Sequence, residues 1–236
     1  MERIRPCDKC RVASDRNTGV YALVDSGQHD LPPGSPFALP GYQPPPSLLD
    51  QLAGIGIQSD QIRHVIVTHT HFDHFNGVTQ ARAGGYEPCY PHARYYVGRA
   101  DWEGVQPELQ DADSLASRTL AVLQRAGLLE LVTARRDLNG NLQIIPAPGE
   151  TPGHQIVRVH SDGQTLYCLG DLYHDTDEVE HPERMADWAD RDLMRVSRST
   201  LIEAALAENA LLTATHIPTL GRFERTASGV VWRAVE

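Results

Sequence analysis

Hydrophobic and polar positions along the chain alternate in blocks that predict helices and strands in turn. Residues 47–54 carry apolar side chains at helical spacing, and glycines at positions 54 and 56 end the segment. The run "HVIVTH" that follows has a short, continuous apolar stretch, which is typical of a buried strand. Apolar residues recur every three to five positions over 113–133, and a long helix is expected over 189–208. This alternation predicts a mixed α/β fold.

Further strands are expected in the middle and in the second half of the chain. They are predicted at "EPCYP", "RYYVG", "LQIIPAPG", "HQIVRVHS", "QTLYCLGD" and "ALLTATH", and in a final hairpin around "RTASG". The Asp-Gly pair in "SDGQ" predicts a tight hairpin turn. After Asp73 the pattern favours a helix over "HFNGVTQARA". The proline-rich segment 31–47 is flanked by strand-like and helix-like segments, so we interpret it as a surface loop within one domain spanning 1–236.

Three of the predicted strands run directly into a residue that can bind a metal ion. "IVTH" ends at His69, "LGD" at Asp171 and "LTATH" at His216. Loops at the ends of buried strands are where α/β proteins place their sites, because the sheet holds them rigidly. The strand ends are therefore the first place to look for chemistry.

The stretch "VTHTHFDHFNG" concentrates His69, His71, Asp73 and His74 in six positions. It is either a set of metal ligands or a polar loop that is rich in histidine. His69 and His71 are two residues apart, so in an extended segment they point the same way. The set contains imidazoles and carboxylates but no thiolate, which suits zinc, manganese or iron in a site that is not of the structural cysteine type.

More distant residues extend this set. His154 stands at the start of a predicted strand, and Asp171 and His216 stand at the ends of two others. A single histidine is more often structural than a ligand. However, the seven residues together are the number that two metal ions need when one carboxylate bridges them, and such a pair can hold a bridging hydroxide.

Composition excludes several classes of function. A formal net charge of −10 argues against a nucleic-acid partner, which requires a surplus of Lys and Arg. No apolar run approaches the roughly 20 residues of a membrane span, and the first residues contain no secretory signal, so we expect a cytoplasmic protein without a membrane partner. Cys7 and Cys10 form a lone CxxC, and with Cys89 and Cys168 they do not make a disulfide framework.

The motif "THTHFDH" resembles the HxHxDH signature of the metallo-β-lactamase superfamily. "TPGH", "LGD" and "ATH" follow in the order of that family's later motifs, and the similarity runs from "ALVDSG" (22–27) to the C-terminus. The resemblance implies a four-layer αβ/βα sandwich with metal ions at one edge. It also implies that His69, His71 and His154 hold one metal, that Asp73, His74 and His216 hold a second, that Asp171 bridges them, and that Asp25 supports the site.

The segments "GDLYHDTDEVEHPE" and "THIPTLGRFERTASGVVWR" resemble the lactonase and methyl-parathion-hydrolase branch. Its members hydrolyse lactones, including acyl-homoserine lactones, and some cleave organophosphate triesters. Many acyl-homoserine lactonases carry a tyrosine three residues after the bridging aspartate. Here that position is His174, and Tyr173 comes one residue early. Either side chain is a candidate for polarising the substrate carbonyl, with a surface role as the alternative.

The resemblance implies a dinuclear hydrolase that attacks the carbonyl of a small lactone or ester with a metal-bridging hydroxide. Zinc is the first choice of metal, with iron, manganese and cobalt as alternatives. The resemblance implies that Asp73 is first a metal ligand, and either Asp73 or a metal-bound water is a candidate for relaying the proton. The other functions considered are an organophosphate triesterase, a thiolesterase, a mononuclear iron sulfur dioxygenase and, last, a non-catalytic binding domain.

The sequence also leads to expectations for the pocket walls and for the N-terminus. We expect the pocket walls to come from 31–47 and 172–190. About 20 residues precede "YALVDSG", where members of the family usually have further strands, so we expect the N-terminus to be shortened or divergent up to about residue 20. If strands are missing there, a homodimer or another partner chain would cover an exposed sheet edge.

Overall fold

A computed structural model describes residues 11–15, 20–27, 41, 43 and 46–235. The predictions for Cys7, Cys10 and most of the proline-rich segment 31–47 lie outside these residues. In the described part of the chain, no helix has the length and apolar character needed to cross a membrane.

Short strands make up most of the regular structure. Those of the first half are β1 (Arg11–Asp15), β2 (Val20–Val24), β3 (Ile62–Ile66), β4 (Thr79–Arg82), β5 (Gly85–Pro88), β6 (Arg94–Gly98) and β7 (Leu129–Val132). Those of the second half are β8 (Arg136–Asp137), β9 (Leu142–Pro146), β10 (Gln155–Ser161), β11 (Gln164–Cys168), β12 (Leu211–Thr213), β13 (Gly221–Thr226) and β14 (Gly229–Ala234).

The helices are short, with the exception of one long helix near the C-terminus. They are α1 (Leu48–Gly54), α2 (Phe72–Phe75), α3 (Arg99–Gly104), α4 (Leu115–Arg118), α5 (Leu120–Arg125), α6 (Asp177–Glu180) and α7 (Arg191–Ala207), with 3-10 turns at Ser59–Gln61, Asn76–Val78 and Gln106–Gln110. Side-chain caps start the two best-defined helices: Ser47 accepts from the backbone N–H of Asp50, and Asp190 accepts from two backbone N–H groups of α7.

The described strands form two main sheets and one separate hairpin. The first sheet has the order β1-β2-β3-β6-β7, the second has the order β14-β13-β12-β11-β10-β9-β8, and β4 pairs only with β5. Strands β2, β3, β6 and β7 run parallel, as do β11 and β12. Parallel neighbours bring their carboxyl ends to the same edge of a sheet, and these are the strands that precede the candidate ligands.

Side chains that alternate along the strands divide the apolar core into three clusters, one between the two sheets and one on the outer face of each sheet. Ile66 faces a cluster that contains Val157 and Cys168 of the second sheet, whereas its neighbour Val65 packs with α1 and α5 on the outer face of the first sheet. On the outer face of the second sheet, Leu212 packs with α7. The order is therefore helices, sheet, sheet, helices, and the expected four-layer αβ/βα sandwich is confirmed.

Two predicted helices are shorter in the structure. The helix after Asp73 is the single turn α2, and the chain then enters the β4–β5 hairpin. Between the two lies the 3-10 turn Asn76–Val78, where Gly77 packs so closely on the chain after β2 that a Cβ would lie 2.6 Å from the carbonyl oxygen of Ser26. The segment 113–133 holds α4 and α5, separated at Thr119 by its non-helical backbone (ψ −85), and ends in β7.

The predicted hairpin turn at "SDGQ" is confirmed. Asp162 and Gly163 have φ values of 53 and 73 between β10 and β11. Two successive residues with positive φ make the turn whose twist matches that of a hairpin. The pairing of Ser161 with Gln164 closes the ladder directly at this turn.

Candidate metal centre

Asp25 organises the first part of the site from the end of β2. Its backbone has a φ of 59, and its buried carboxylate accepts hydrogen bonds from the backbone N–H of Thr68 (2.7 Å), the Thr68 hydroxyl (2.9 Å) and His74 Nδ1 (2.9 Å). With Nδ1 donating to Asp25, the other ring nitrogen of His74 points at Asp171, with Nε2 3.2 Å from Oδ2. A carboxylate behind a histidine is the usual arrangement for orienting a metal ligand.

Thr68 orients His69 in a similar way. The Thr68 hydroxyl donates to Asp25, so it is left to accept from His69 Nδ1 at 3.1 Å. His69 Nε2 then faces inward and lies 2.9 Å from His71 Nδ1. Two ring nitrogens at this separation share either a proton or a cation, because their lone pairs repel when both point at an empty space.

Asp171 lies where the two groups of ligands meet. Its Oδ2 is 3.7 Å from His69 Nε2, 3.2 Å from His74 Nε2 and 3.1 Å from His216 Nε2. Asp73 approaches from the α2 side, with Oδ1 3.8 Å from His74 Nε2 and Oδ2 4.0 Å from His216 Nε2. One carboxylate oxygen therefore contacts rings from both sides of the site.

His154 reaches this cluster from the start of β10. Its Nδ1 is 3.0 Å from the carbonyl oxygen of Ala147, and its Nε2 is 3.2 Å from the backbone nitrogen of Asp171. The turn just before Asp171 requires glycine at position 170. The φ of Gly170 is 54, and a Cβ there would lie 2.8 Å from His154 Nε2 and 2.7 Å from the Thr68 hydroxyl. All seven predicted ligands thus lie at one edge of the sandwich, but His154 stands outside the groups whose donor atoms lie within 4.8 Å of one another, because its Nε2 accepts from the backbone N–H of Asp171.

The electrostatics of the cluster shift the pKa values of its imidazoles in opposite directions. Burial lowers the pKa of His154 to about 4, and burial together with the neighbouring His74 lowers the pKa of His69 well below its usual value. The pKa of Asp171 is also lowered, because hydrogen bonds from His174, His216 and His74 outweigh its burial. For His74, burial is outweighed by the charges of Asp25 and Asp171, which raise its pKa to about 10. The pocket therefore stabilises positive charge.

Glu150 was not predicted, although it lies at the centre of the donor cluster. Its side chain has no exposed surface, and Oε1 is 3.3 Å from His71 Nδ1 and 2.6 Å from the indole nitrogen of Trp188. Burial is outweighed by these hydrogen bonds, so the pKa of Glu150 is lowered. A lone glutamate in a loop of glycine and proline residues gives no sequence signal for such a role.

The structure separates the two neighbouring candidates at the bridging position. His174 lies at the site, with Nε2 3.5 Å from Asp171 Oδ2 and its ring stacked on His216 at 5.3 Å. Burial alone would lower its pKa, but Asp171 and nearby glutamates raise it. Tyr173 instead points into the apolar cluster between the second sheet and α7, where its ring contacts Phe223 and Arg198. Consecutive residues of this turn face opposite ways, so Tyr173 does not reach the donors.

Asp101, also missed from the sequence, ties two ligand loops together from the start of α3. Its carboxylate accepts from the backbone N–H of Thr70 (3.0 Å), the hydroxyl of Thr151 (2.8 Å) and the backbone N–H of Gly153 (2.6 Å). Thr70 lies between His69 and His71, and Gly153 directly precedes His154. Asp101 thereby fixes the loop of His71 relative to that of His154.

The donor set fits divalent metal ions. In the described part of the chain, donors of His69, His71, Glu150 and Asp171 lie within 4.8 Å of one another, as do those of Asp73, His74 and His216. Asp171 Oδ1 and Glu150 Oε2 are buried without a hydrogen-bond partner among these residues. A buried carboxylate oxygen of this kind is costly unless a cation or another donor contacts it.

This fold and this site define a class of metal-dependent enzyme, and comparison with known proteins identifies the family. A model of the metallo-beta-lactamase superfamily matches residues 16–216. The match covers most of the chain, so the protein belongs to the metallo-beta-lactamase superfamily.

Individual relatives are more distant. The probable metallo-hydrolase YflN of Bacillus subtilis (strain 168) is 25% identical over 193 residues, covering 69% of this chain and 67% of YflN. The hydrolase AbOPH of the beta-lactamase superfamily is 20% identical, with a TM-score of 0.72 over 93% of this chain and 77% of AbOPH. AidC, a dizinc quorum-quenching lactonase in complex with a product, is also 20% identical, with a TM-score of 0.72 over 96% of this chain and 79% of AidC. These similarities support a metal-dependent hydrolase.

Proposed function

We propose that this protein is a dinuclear metal-dependent hydrolase that opens lactones or cleaves related esters of small molecules. The observation that carries the proposal is the position of Asp171 Oδ2, within 3.7 Å of His69 Nε2 and 3.2 Å or less of His74 Nε2 and His216 Nε2. A carboxylate oxygen shared between two groups of imidazoles is the arrangement that a pair of metal ions requires.

The residues divide into two sets around this carboxylate. His69, His71 and His154 would hold one ion, Asp73, His74 and His216 would hold the other, and Asp171 would contact both. When bound, two divalent ions lower the pKa of coordinated water to about 7 and polarise a carbonyl oxygen as Lewis acids. Nitrogen and carboxylate ligands of this kind accept zinc first, and also iron, manganese or cobalt.

The protein's own residues prepare the site for a neutral substrate with a carbonyl group. Asp25 and Thr68 orient the rings of His74 and His69, so that both direct Nε2 to the interior. His174 is one quarter exposed at the entrance, where a protonated ring is able to donate a hydrogen bond to the carbonyl or to the leaving alkoxide. Its raised pKa, set chiefly by Asp171 against the effect of burial, favours that protonated form.

The comparisons support a lactone or ester rather than another substrate class. AidC is described as a dizinc lactonase and shares this fold over nearly the whole chain. His174 takes the place where a hydrogen-bond donor to the lactone is expected, and Tyr173 does not. The entrance residues 172–190 contribute Trp188, 66% exposed, as an apolar surface beside the donors.

The test is a hydrolysis assay on protein loaded with zinc or manganese, in which the protons released by the reaction are measured. The substrates are acyl-homoserine lactones, simple γ- and δ-lactones, aryl esters, a thiolester and methyl-parathion, and Asp171→Ala serves as the blank. We expect lactone turnover in the wild type, with both turnover and metal content lost in Asp171→Ala.

The metal content separates the alternatives. Two ions per chain with no turnover on any lactone or ester would contradict the substrate class. One iron per chain, with oxidation of a sulfur compound, would replace the dinuclear proposal by a mononuclear dioxygenase. Wild-type activity in Asp171→Ala would overturn the assignment of the site.

A further inference from the structure

Glu150 is a buried acidic group at the metal centre that the seven-residue ligand set does not use. It lies in the loop between β9 and β10, and its side chain has no exposed surface. Oε1 lies 3.3 Å from His71 Nδ1 and 3.7 Å from His174 Nε2. The carboxylate therefore faces the interior of the site rather than solvent.

The two oxygens of Glu150 have different surroundings. Oε1 accepts a hydrogen bond of 2.6 Å from the indole N–H of Trp188, whereas Oε2 is buried and has no partner among the described residues. One oxygen of this fully buried carboxylate is therefore left without a hydrogen bond. Charged groups in such places are normally paired or bound to a metal.

The backbone around Glu150 holds this position firmly. Gly149 has a φ of 147 and packs so closely on α7 that a Cβ would lie 2.6 Å from the Cα of Met194. The carbonyl oxygen of Gly149 accepts from the backbone N–H of Asp190. On the other side of Glu150, the hydroxyl of Thr151 donates to Asp101 at 2.8 Å. The loop is thus fixed on both sides of Glu150, and its carboxylate is preorganised.

We propose that Glu150 is a further metal ligand, which adds a third carboxylate to the centre on the side of His69 and His71. The donor atoms of these two histidines, Glu150 and Asp171 lie within 4.8 Å of one another, which is close enough for one ion. The proposal rests on the proposed function only in requiring a metal at this position, and it makes no use of the lactone substrate.

A third carboxylate changes the chemistry of the centre. It makes the ligand set more negative by one charge than the set of Asp73 and Asp171 with five histidines. It also adds a hard oxygen donor, which favours manganese relative to zinc compared with a site richer in imidazole. The ligand set therefore predicts tighter metal binding and a shift of metal preference that both depend on Glu150.

The test compares metal retention in the full-length wild type, Glu150→Gln and Glu224→Gln, each loaded with Zn²⁺ or Mn²⁺ and titrated with a competing chelator. Glu224 is an exposed glutamate paired with Arg233, so it controls for the loss of one negative charge. We expect Glu150→Gln to lower metal affinity by about 10- to 100-fold, with a larger loss for Mn²⁺ than for Zn²⁺. Glu224→Gln retains the wild-type affinities.

Two further measurements separate ligation from a structural role. In protein loaded with Co²⁺, loss of a ligand in Glu150→Gln changes the visible absorption bands, because these depend on the coordination of the ion. Trp188→Phe removes the indole donor but keeps the carboxylate, so we expect it to lower the metal affinity less than Glu150→Gln does and to keep the wild-type Co²⁺ spectrum. Equal effects of Trp188→Phe and Glu150→Gln, or unchanged affinity and Co²⁺ spectrum in Glu150→Gln, would overturn the proposal.

Folding and function are controlled separately. If Glu150→Gln does not fold, Glu150→Asp, which keeps the charge but shortens the side chain, replaces it and is expected to show an intermediate loss of affinity. A wild type that hydrolyses no lactone, but whose metal affinity falls in Glu150→Gln, supports the ligand role and contradicts only the substrate class. A wild type that binds no metal contradicts both proposals.

Discussion

The hydrogen bond from His74 to Asp25 determines which nitrogen of His74 faces the metal. Asp25 accepts from Thr68 and from His74 Nδ1 with both carboxylate oxygens, at 2.7 to 2.9 Å. In Asp25→Asn one oxygen still accepts from the Thr68 backbone, but an amide NH₂ replaces the oxygen that faced His74. A donor now points at Nδ1, so the proton of His74 moves to Nε2, the nitrogen that lies 3.2 Å from Asp171.

The size of the effect follows from this change of tautomer. Replacing a group that orients a metal ligand typically lowers metal affinity by 10- to 100-fold, which is about 1.4 to 2.8 kcal/mol. Loss of the Asp25 charge acts in the same direction, because a buried anion 2.9 Å from the His74 ring attracts a bound cation. Asparagine tolerates the positive φ of 59 at this position, so backbone strain adds little.

The assay is a chelator competition on metal-loaded protein, with hydrolysis measured on the same samples. Asp162→Asn is the matched control, since Asp162 also has a positive φ, of 53, but lies in the exposed turn between β10 and β11. We expect Asp25→Asn to lose affinity by at least tenfold and Asp162→Asn to match the wild type. Equal metal affinity in all three proteins would refute the role assigned to Asp25.

Two other predictions concern groups around the site and in the core. Asp101→Ala leaves the half-buried N–H groups of Thr70 and Gly153 without their charged acceptor; at about 1–3 kcal/mol each, we expect a lower melting temperature and weaker metal binding, and an unchanged melting curve would contradict this. Burial raises the pKa of the Cys89 thiol to about 12 from 9.0. At pH 8 its thiolate fraction falls about a thousandfold, so iodoacetamide followed by peptide mass spectrometry should label Cys89 only after unfolding in guanidinium.

Much of the fold was predictable because continuous apolar runs define buried strands. The runs before His69, Asp171 and His216 became β3, β11 and β12, and each potential ligand follows its strand within three residues. Propensity failed where a tertiary contact decided the outcome. The helix expected after Asp73 ends after one turn. The chain then makes a 3-10 turn in which Gly77 packs on Ser26 with no room for a side chain.

The candidate site was predictable only for residues that the motifs contain. Asp101 and Glu150 act through contacts with residues 24 to 79 positions away, and such pairings leave no local pattern. The choice between Tyr173 and His174 depended on the conformation of a single turn after β11. Adjacent residues there face opposite sides, so an error of one position exchanges a buried core residue for one at the entrance.

The structure also separates the proposed metal ligands from the proposed entrance for the substrate. The proposed ligands follow strand ends, whereas the entrance is formed by residues 172–190, a segment that a buried arginine anchors. Arg198 of α7, 3% exposed, donates to the carbonyl oxygens of Leu172 (2.8 Å) and Arg184 (3.2 Å) and to Glu178, whose carboxylate also contacts His174. One guanidinium therefore holds this segment at its start, middle and later part, a geometry that a lysine does not reproduce. Because Leu172, His174 and Trp188 are the residues of the segment that adjoin or contact the proposed donors, substitutions elsewhere in it should alter substrate preference while metal binding persists.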